Sequence, residues 1–152
     1  TIKGHTHHKG CKHIALPLDL TKETREKVNY AIDMAKLFGS TVHIFSVIES
    51  DDEFLIHKLE RQLQQVKDFI SAAGVACQGE LVPESEDDVP LTIIAVAQKK
   101  ECDLIIIMTQ GETNITDLFI GTAAQEVINN SDIPVLCIRP MVRKDLTEYV
   151  LS

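Results

Sequence analysis

A chain of 152 residues fits one compact domain and excludes two ordinary ones, and a 44% hydrophobic share lets it bury a substantial core. A formal net charge of -8 argues against a nucleic-acid groove or an anionic membrane surface as partner, because both require clustered Lys and Arg. Four cysteines, Cys11, Cys77, Cys102 and Cys137, lie far apart without a C-x-x-C pair. They read as reduced, mostly buried thiols of a cytoplasmic protein rather than a disulfide framework.

In chain order, residues 1–11, "TIKGHTHHKGC", are polar and punctuated by glycine, and read as a linker or tail. His5, His7 and His8 belong to that tail rather than to a metal site. "HIALPL" (13–18), closed by Asp19, predicts a first strand. Thr21 is placed to cap a helix, with Glu23 and Glu26 suited to its positive end. Val28, Ala31, Ile32, Ala35 and Phe38 recur at helical spacing, and Gly39 supplies the stop.

"TVHIFSVI" (41–48) is β-branched and aromatic, a second strand. The following helix carries Ile56, Leu59, Leu63, Val66, Ile70 and Ala73 at alternating spacings of three and four until Gly74; with strands close on either side, this is one face packed on a sheet. "VACQGELV" (75–82) predicts a weaker third strand, and "PESEDDVP" (83–90) an acidic loop whose Pro90 opens a helix to about Lys100. "DLIIIM" (103–108) is apolar without alternation, the pattern of a central parallel strand covered on both faces. A helix from about Thr122 to Asn129 and a fifth strand, "PVLCI" (134–138), complete the series. No run is long and apolar enough to span a bilayer, and nothing reads as a signal peptide.

Strict alternation of strand and helix predicts a five-stranded parallel sheet with right-handed crossovers and helices on both faces. Ligands in such folds gather at the carboxyl ends of the strands, where the strand order reverses. Those ends are Asp19, Val47 and the loop from Gly111 to Thr122. Gly121 would let a phosphate approach the backbone at a helix N-terminus, Thr122 would add a hydroxyl donor, and Gly111 would permit the turn. Asp19 could accept from an adenine amino group or a ribose hydroxyl, with the Val47 backbone reading the base edge. Each residue also has a plain reading: the glycines as turn residues, Asp19 as a helix cap.

From about His13 to Pro140 the sequence resembles the universal stress protein family. The resemblance rests on "LPLD", "VHIFSVIE", "CDLIIIM" and above all "GETNITDLFIGTAAQEVINNSDIPVLCIRP". It implies a domain over 12–140 with a tail at 141–152, a nucleotide-binding-like fold of the adenine nucleotide alpha hydrolase type, and a homodimer formed through the last strand. Similarity to the ATP-binding members implies ATP or another adenine nucleotide as ligand, held by Asp19, Val47, Gly111, Gly121 and Thr122, and no structural metal. "TIK" at the start is similar to "CIR" at 137–139, which suggests a preceding tandem domain.

Two departures weaken the expected site. The family's phosphate motif is G-x2-G-x9-G-[ST], and its first glycine position is Met108 here, a long side chain where close backbone approach is wanted. Glu112 stands where the ATP binders often carry a basic residue. A carboxylate ~5 Å from a phosphate costs about 1 to 3 kcal/mol per charge pair between water's dielectric and an effective ~20. Asp117 and the acidic loop at Glu84, Glu86, Asp87 and Asp88 either add to this or form a solvated face.

The expected function is therefore that of a non-enzymatic binding module with a degenerate adenine-nucleotide site; the alternatives are a competent ATP or AMP sensor and a weak ATPase. A nucleotidyl-transfer enzyme would carry H-x-G-H or S-G-G-x-D-S, and neither occurs. Phosphoryl transfer through a Walker loop lacks its motif. A receiver domain would need an acidic pocket after the first strand and a Lys after the fifth, where this chain has Asp19 alone and Arg139.

Overall fold

The computed structural model describes residues 10–19, 24–83, 85–109 and 122–139. The expectations placed on His5, His7, His8, Thr21, Glu23, Glu84, Gly111, Glu112, Asp117, Gly121, on residues 1–3 and on the tail at 141–152 lie outside the described residues. The described elements are β1 (His13–Pro17), α1 (Thr24–Phe38), β2 (Thr41–Val47), α2 (Glu53–Ala72), β3 (Ala76–Val82), α3 (Val89–Lys99), β4 (Leu104–Met108), α4 (Thr122–Asn130) and β5 (Val135–Ile138). All neighbouring strands are parallel, in the order β3-β2-β1-β4-β5. The order therefore reverses between β1 and β4.

Alternation along each strand divides the interior in two. Ile14, Leu16, Val42, Ile44, Leu104 and Ile106 face α1 and α2, where they meet Val28, Ala31, Ala35 and Ile70. Ala15, Phe45, Ile105, Ile107 and Val135 face α3 and α4, against Ile94, Ala97, Ala124 and Val127. The unbroken apolar run of β4 follows, since Leu104 to Ile107 are all buried. β3 is an edge strand with a mostly exposed pattern, which is why its sequence signal is weak.

Local chemistry sets the helix limits. Gly39 and Gly74 end α1 and α2 with φ of 68° and 84°, in the left-handed region that favours glycine. Asp52 caps α2 by accepting from the Phe54 backbone N–H at 2.9 Å, and Asp88 caps α3 by accepting from that of Leu91 at 3.1 Å. The last carboxylate of the acidic loop thus has a structural task. Pro90 lies in the first turn of α3 as expected. Asp103 ties β4 to the start of β1, its Oδ2 accepting from the backbone N–H groups of Lys12 and His13 at 2.8 and 3.0 Å.

Two expectations need correction. Phe38 is 47% exposed although it continues the apolar spacing of α1. All four thiols are free, but only Cys102 is buried, the others being half-buried.

Candidate functional site

A cavity of about 320 Å³ opens at the carboxyl edge of the sheet, where β1 and β4 part. Its size lies within the ~300–1,000 Å³ that small-molecule sites occupy. The sheet contributes Pro17, Leu18 and Asp19 after β1, Val47 and Ile48 at β2, and Ile107 and Met108 of β4. Leu55, Ile56 and Leu59 come from α2, on one face of the sheet. From the other face come Val89, Pro90 and Ile93 of α3 and Ala123, Ala124 and Val127 of α4.

Of the residues singled out in the sequence, Asp19 and Val47 meet in this lining. Met108 does too, so the long side chain at the first motif position occupies the wall. Thr122 is exposed at the start of α4; its chain neighbours Ala123 and Ala124, rather than Thr122, line the cavity. Gly111 and Gly121 lie outside the described residues. Gln62 of α2 helps position Asp19, its Nε2 donating to the Asp19 carbonyl at 2.7 Å.

Sequence reasoning missed Lys27. It falls among the polar positions of an amphipathic helix, yet it is only 5% exposed and lines the cavity. Its Nζ donates to the carbonyl of Pro17. Burial holds this amine below the ordinary lysine range, with the Asp19 carboxylate pulling the other way. A signal was available: Lys27 directly precedes Val28, the first apolar residue of α1, close to the end of β1.

A second polar cluster lies at the opposite end of the sheet. His13 Nδ1 and His43 Nε2 are 3.0 Å apart, and the other ring nitrogen of His43 is buried without a hydrogen-bond partner among the described residues. Burial foremost, then the neighbouring His13 and Lys100, hold His43 below the ordinary imidazole range, while Glu80 opposes them. Burial also pushes the thiols of Cys77 and Cys102 up, to about 11 and about 12, which leaves them poor nucleophiles at neutral pH. Among the described residues no three His, Cys, Asp or Glu side chains lie close enough to hold a metal ion, and no helix is long and apolar enough to cross a membrane.

An open, wholly parallel sheet with helices on both faces and a cavity where its strand order reverses defines a nucleotide-binding-like α/β protein. Within that class the chain belongs to the universal stress protein family, whose model matches residues 10–139. It is 28% identical over 145 residues to a universal stress protein of Methanocaldococcus jannaschii, covering 84% of this chain and 82% of that protein. The fold is shared with the universal stress protein from Archaeoglobus fulgidus, at a TM-score of 0.70 and 21% identity, over 84% of this chain and 93% of that one. A structure of the Archaeoglobus fulgidus protein in complex with dAMP matches at a TM-score of 0.68 and 20% identity, over 84% and 97% of the two chains.

Proposed function

We propose that this chain is a binding and regulatory module of the universal stress type, rather than a catalyst, with a weakened adenine-nucleotide site in the cavity between β1 and β4. The observation that carries the reading is the meeting of Asp19, Val47 and Met108 at one cavity, beside the first turn of α4. The dAMP complex of a protein with the same fold supports the choice of an adenine nucleotide. In this reading the apolar walls take the base, the Asp19 carboxylate accepts from the base or ribose, and Thr122 with Gly111 and Gly121 serves the phosphates. Met108 narrows the wall where a phosphate would approach, and Glu112 repels it, so affinity falls as phosphates are added.

In the same reading the chain works as a homodimer. β5 is an edge strand of the described sheet, and its half-buried Leu136 and Cys137 offer apolar surface to a second copy. Sedimentation equilibrium tests this part, a concentration-independent monomer being the contrary result.

Calorimetric titration and thermal shift with AMP, ADP and ATP, each with and without Mg²⁺, test the site. The expected outcome is AMP bound more tightly than ATP, and tighter ATP binding after Met108→Gly. Micromolar ATP affinity in the unaltered chain would refute the weakened site. No response to any nucleotide would refute nucleotide binding altogether.

A further inference from the structure

Lys27 is buried in the wall of a mainly apolar cavity, with the Asp19 carboxylate as an opposing charge. An ammonium has three N–H donors, of which the Pro17 carbonyl takes one. Lys27 is as buried as the core around it, at 5% exposure, and a buried cation is destabilising unless paired and hydrogen-bonded. Pro17 and Lys27 both line the cavity, so an occupant entering it meets, among the described lining residues, one cationic side chain.

The rest of the lining decides what kind of anion suits that position. Leu55, Ile56 and Leu59 face it from α2, and Val89 and Ile93 from α3. Apart from Lys27, the ionisable lining groups are carboxylates, Asp19 and Glu49, both exposed. Among the described lining residues, each further negative charge on a ligand adds repulsion from these carboxylates without adding a second cation. A ligand with a single negative charge and an apolar body meets the amine with its head and apolar walls with its body. Leu55 belongs to the lining and is 36% exposed, so the apolar wall continues to the surface and a longer tail can follow it outward.

We propose that this cavity binds a monoanion with an apolar body, a medium-chain carboxylate being the simplest, and that Lys27 is the residue that selects for the charged head. The inference rests on the reading of this cavity as the ligand site, and it does not require the ligand to be a nucleotide. The Coulomb attraction of head and amine is larger in this region of low effective dielectric than in water, and it must offset the desolvation of both groups. Replacing the head by a hydroxyl keeps the apolar contacts and removes the charge, which makes the neutral alcohol the matched control.

The test is calorimetric titration of the full chain with sodium octanoate, with 1-octanol and, separately, with AMP, for the unaltered protein and for Lys27→Met. Octanoate is expected to bind saturably and at least tenfold more tightly than octanol. Lys27→Met should weaken octanoate at least tenfold and leave octanol within about twofold. Equal affinities for the acid and the alcohol in the unaltered chain overturn the proposal, and that comparison stands even where the variant does not fold. Octanoate affinity unchanged by Lys27→Met, or no saturable octanoate binding, also overturns it. The AMP arm separates the two readings: AMP binding without octanoate binding refutes the monoanion and keeps the nucleotide, and octanoate binding without AMP binding does the reverse.

Discussion

Lys27→Met is expected to stabilise the fold, because the wild-type side chain is an amine enclosed by protein. The effective cost of holding an ion out of water is several kcal/mol after relaxation. Here it is reduced by attraction to Asp19. Methionine keeps most of the aliphatic stem and is a well-tolerated exchange of volume, costing below about 1.5 kcal/mol. The Pro17 carbonyl loses the donor it has in the wild type, at about 1 to 3 kcal/mol. Replacing buried ions by apolar side chains is commonly neutral to stabilising, and a net gain on the order of 1 kcal/mol is expected, or roughly 2 to 4 °C in Tm for a domain of this size.

The sign of the pH dependence adds a sharper check. With the folded pKa below the ordinary 10.5, the unfolded chain holds the proton more firmly, so wild-type stability rises with pH between the folded value and 10.5. The advantage of Lys27→Met should thus be largest at neutral pH and shrink as pH approaches 10.5. Paired urea melts of both proteins at pH 7 and pH 10 measure it. A variant less stable at pH 7 by about 1 kcal/mol or more, or a gain of equal size at both pH values, would refute the reasoning.

Other perturbations test the frame around the cavity. His43 is 7% exposed with a lowered folded pKa, so it contributes stability above the ordinary 6.5 that is lost as pH falls through the folded value; His43→Gln should flatten that part of the urea-unfolding profile between pH 7.5 and 5, and an unchanged slope would assign it elsewhere. Phe45, 1% exposed in the core under α3 and α4, should cost about 3 to 5 kcal/mol as Phe45→Ala, and a loss under ~2 kcal/mol would mean that the layer collapses into the space. At Gly79 an added Cβ would lie 3.1 Å from Ile44 Cγ1 and 3.5 Å from Leu63 Cγ. Gly79→Val is therefore expected to destabilise by about 1 to 3 kcal/mol in spite of valine's preference for strands, and a neutral chemical-denaturation result would show that Ile44 yields.

The order and type of the nine described elements could be read from the sequence because each physical signal was local. Strand runs such as "DLIIIM" carry their burial in composition, and Gly39 and Gly74 carry the helix stops in their backbone freedom. The neighbour order of the strands was not legible, since it depends on crossovers that alternation alone leaves open. That Asp19 and Val47 would come together was legible because strand ends converge in a parallel sheet. Lys27 was missed because sequence periodicity assigns a charged residue to the solvent side, and here the space beside Pro17 overrides that assignment. His43 likewise sits inside the fold although a single histidine on a strand gives no sign of a partner 30 positions away.

The cavity draws its walls from helices on opposite faces of the sheet, α2 on one and α3 with α4 on the other. The two core clusters share strands but no helix, so each helical layer can loosen by itself as a separate cooperative unit. An occupant in contact with both layers acts as a rivet through the edge of the sheet. Slow amide exchange would then spread to both layers at once on filling the cavity, and the domain would report occupancy as a change in its mechanical unity rather than as a change in shape.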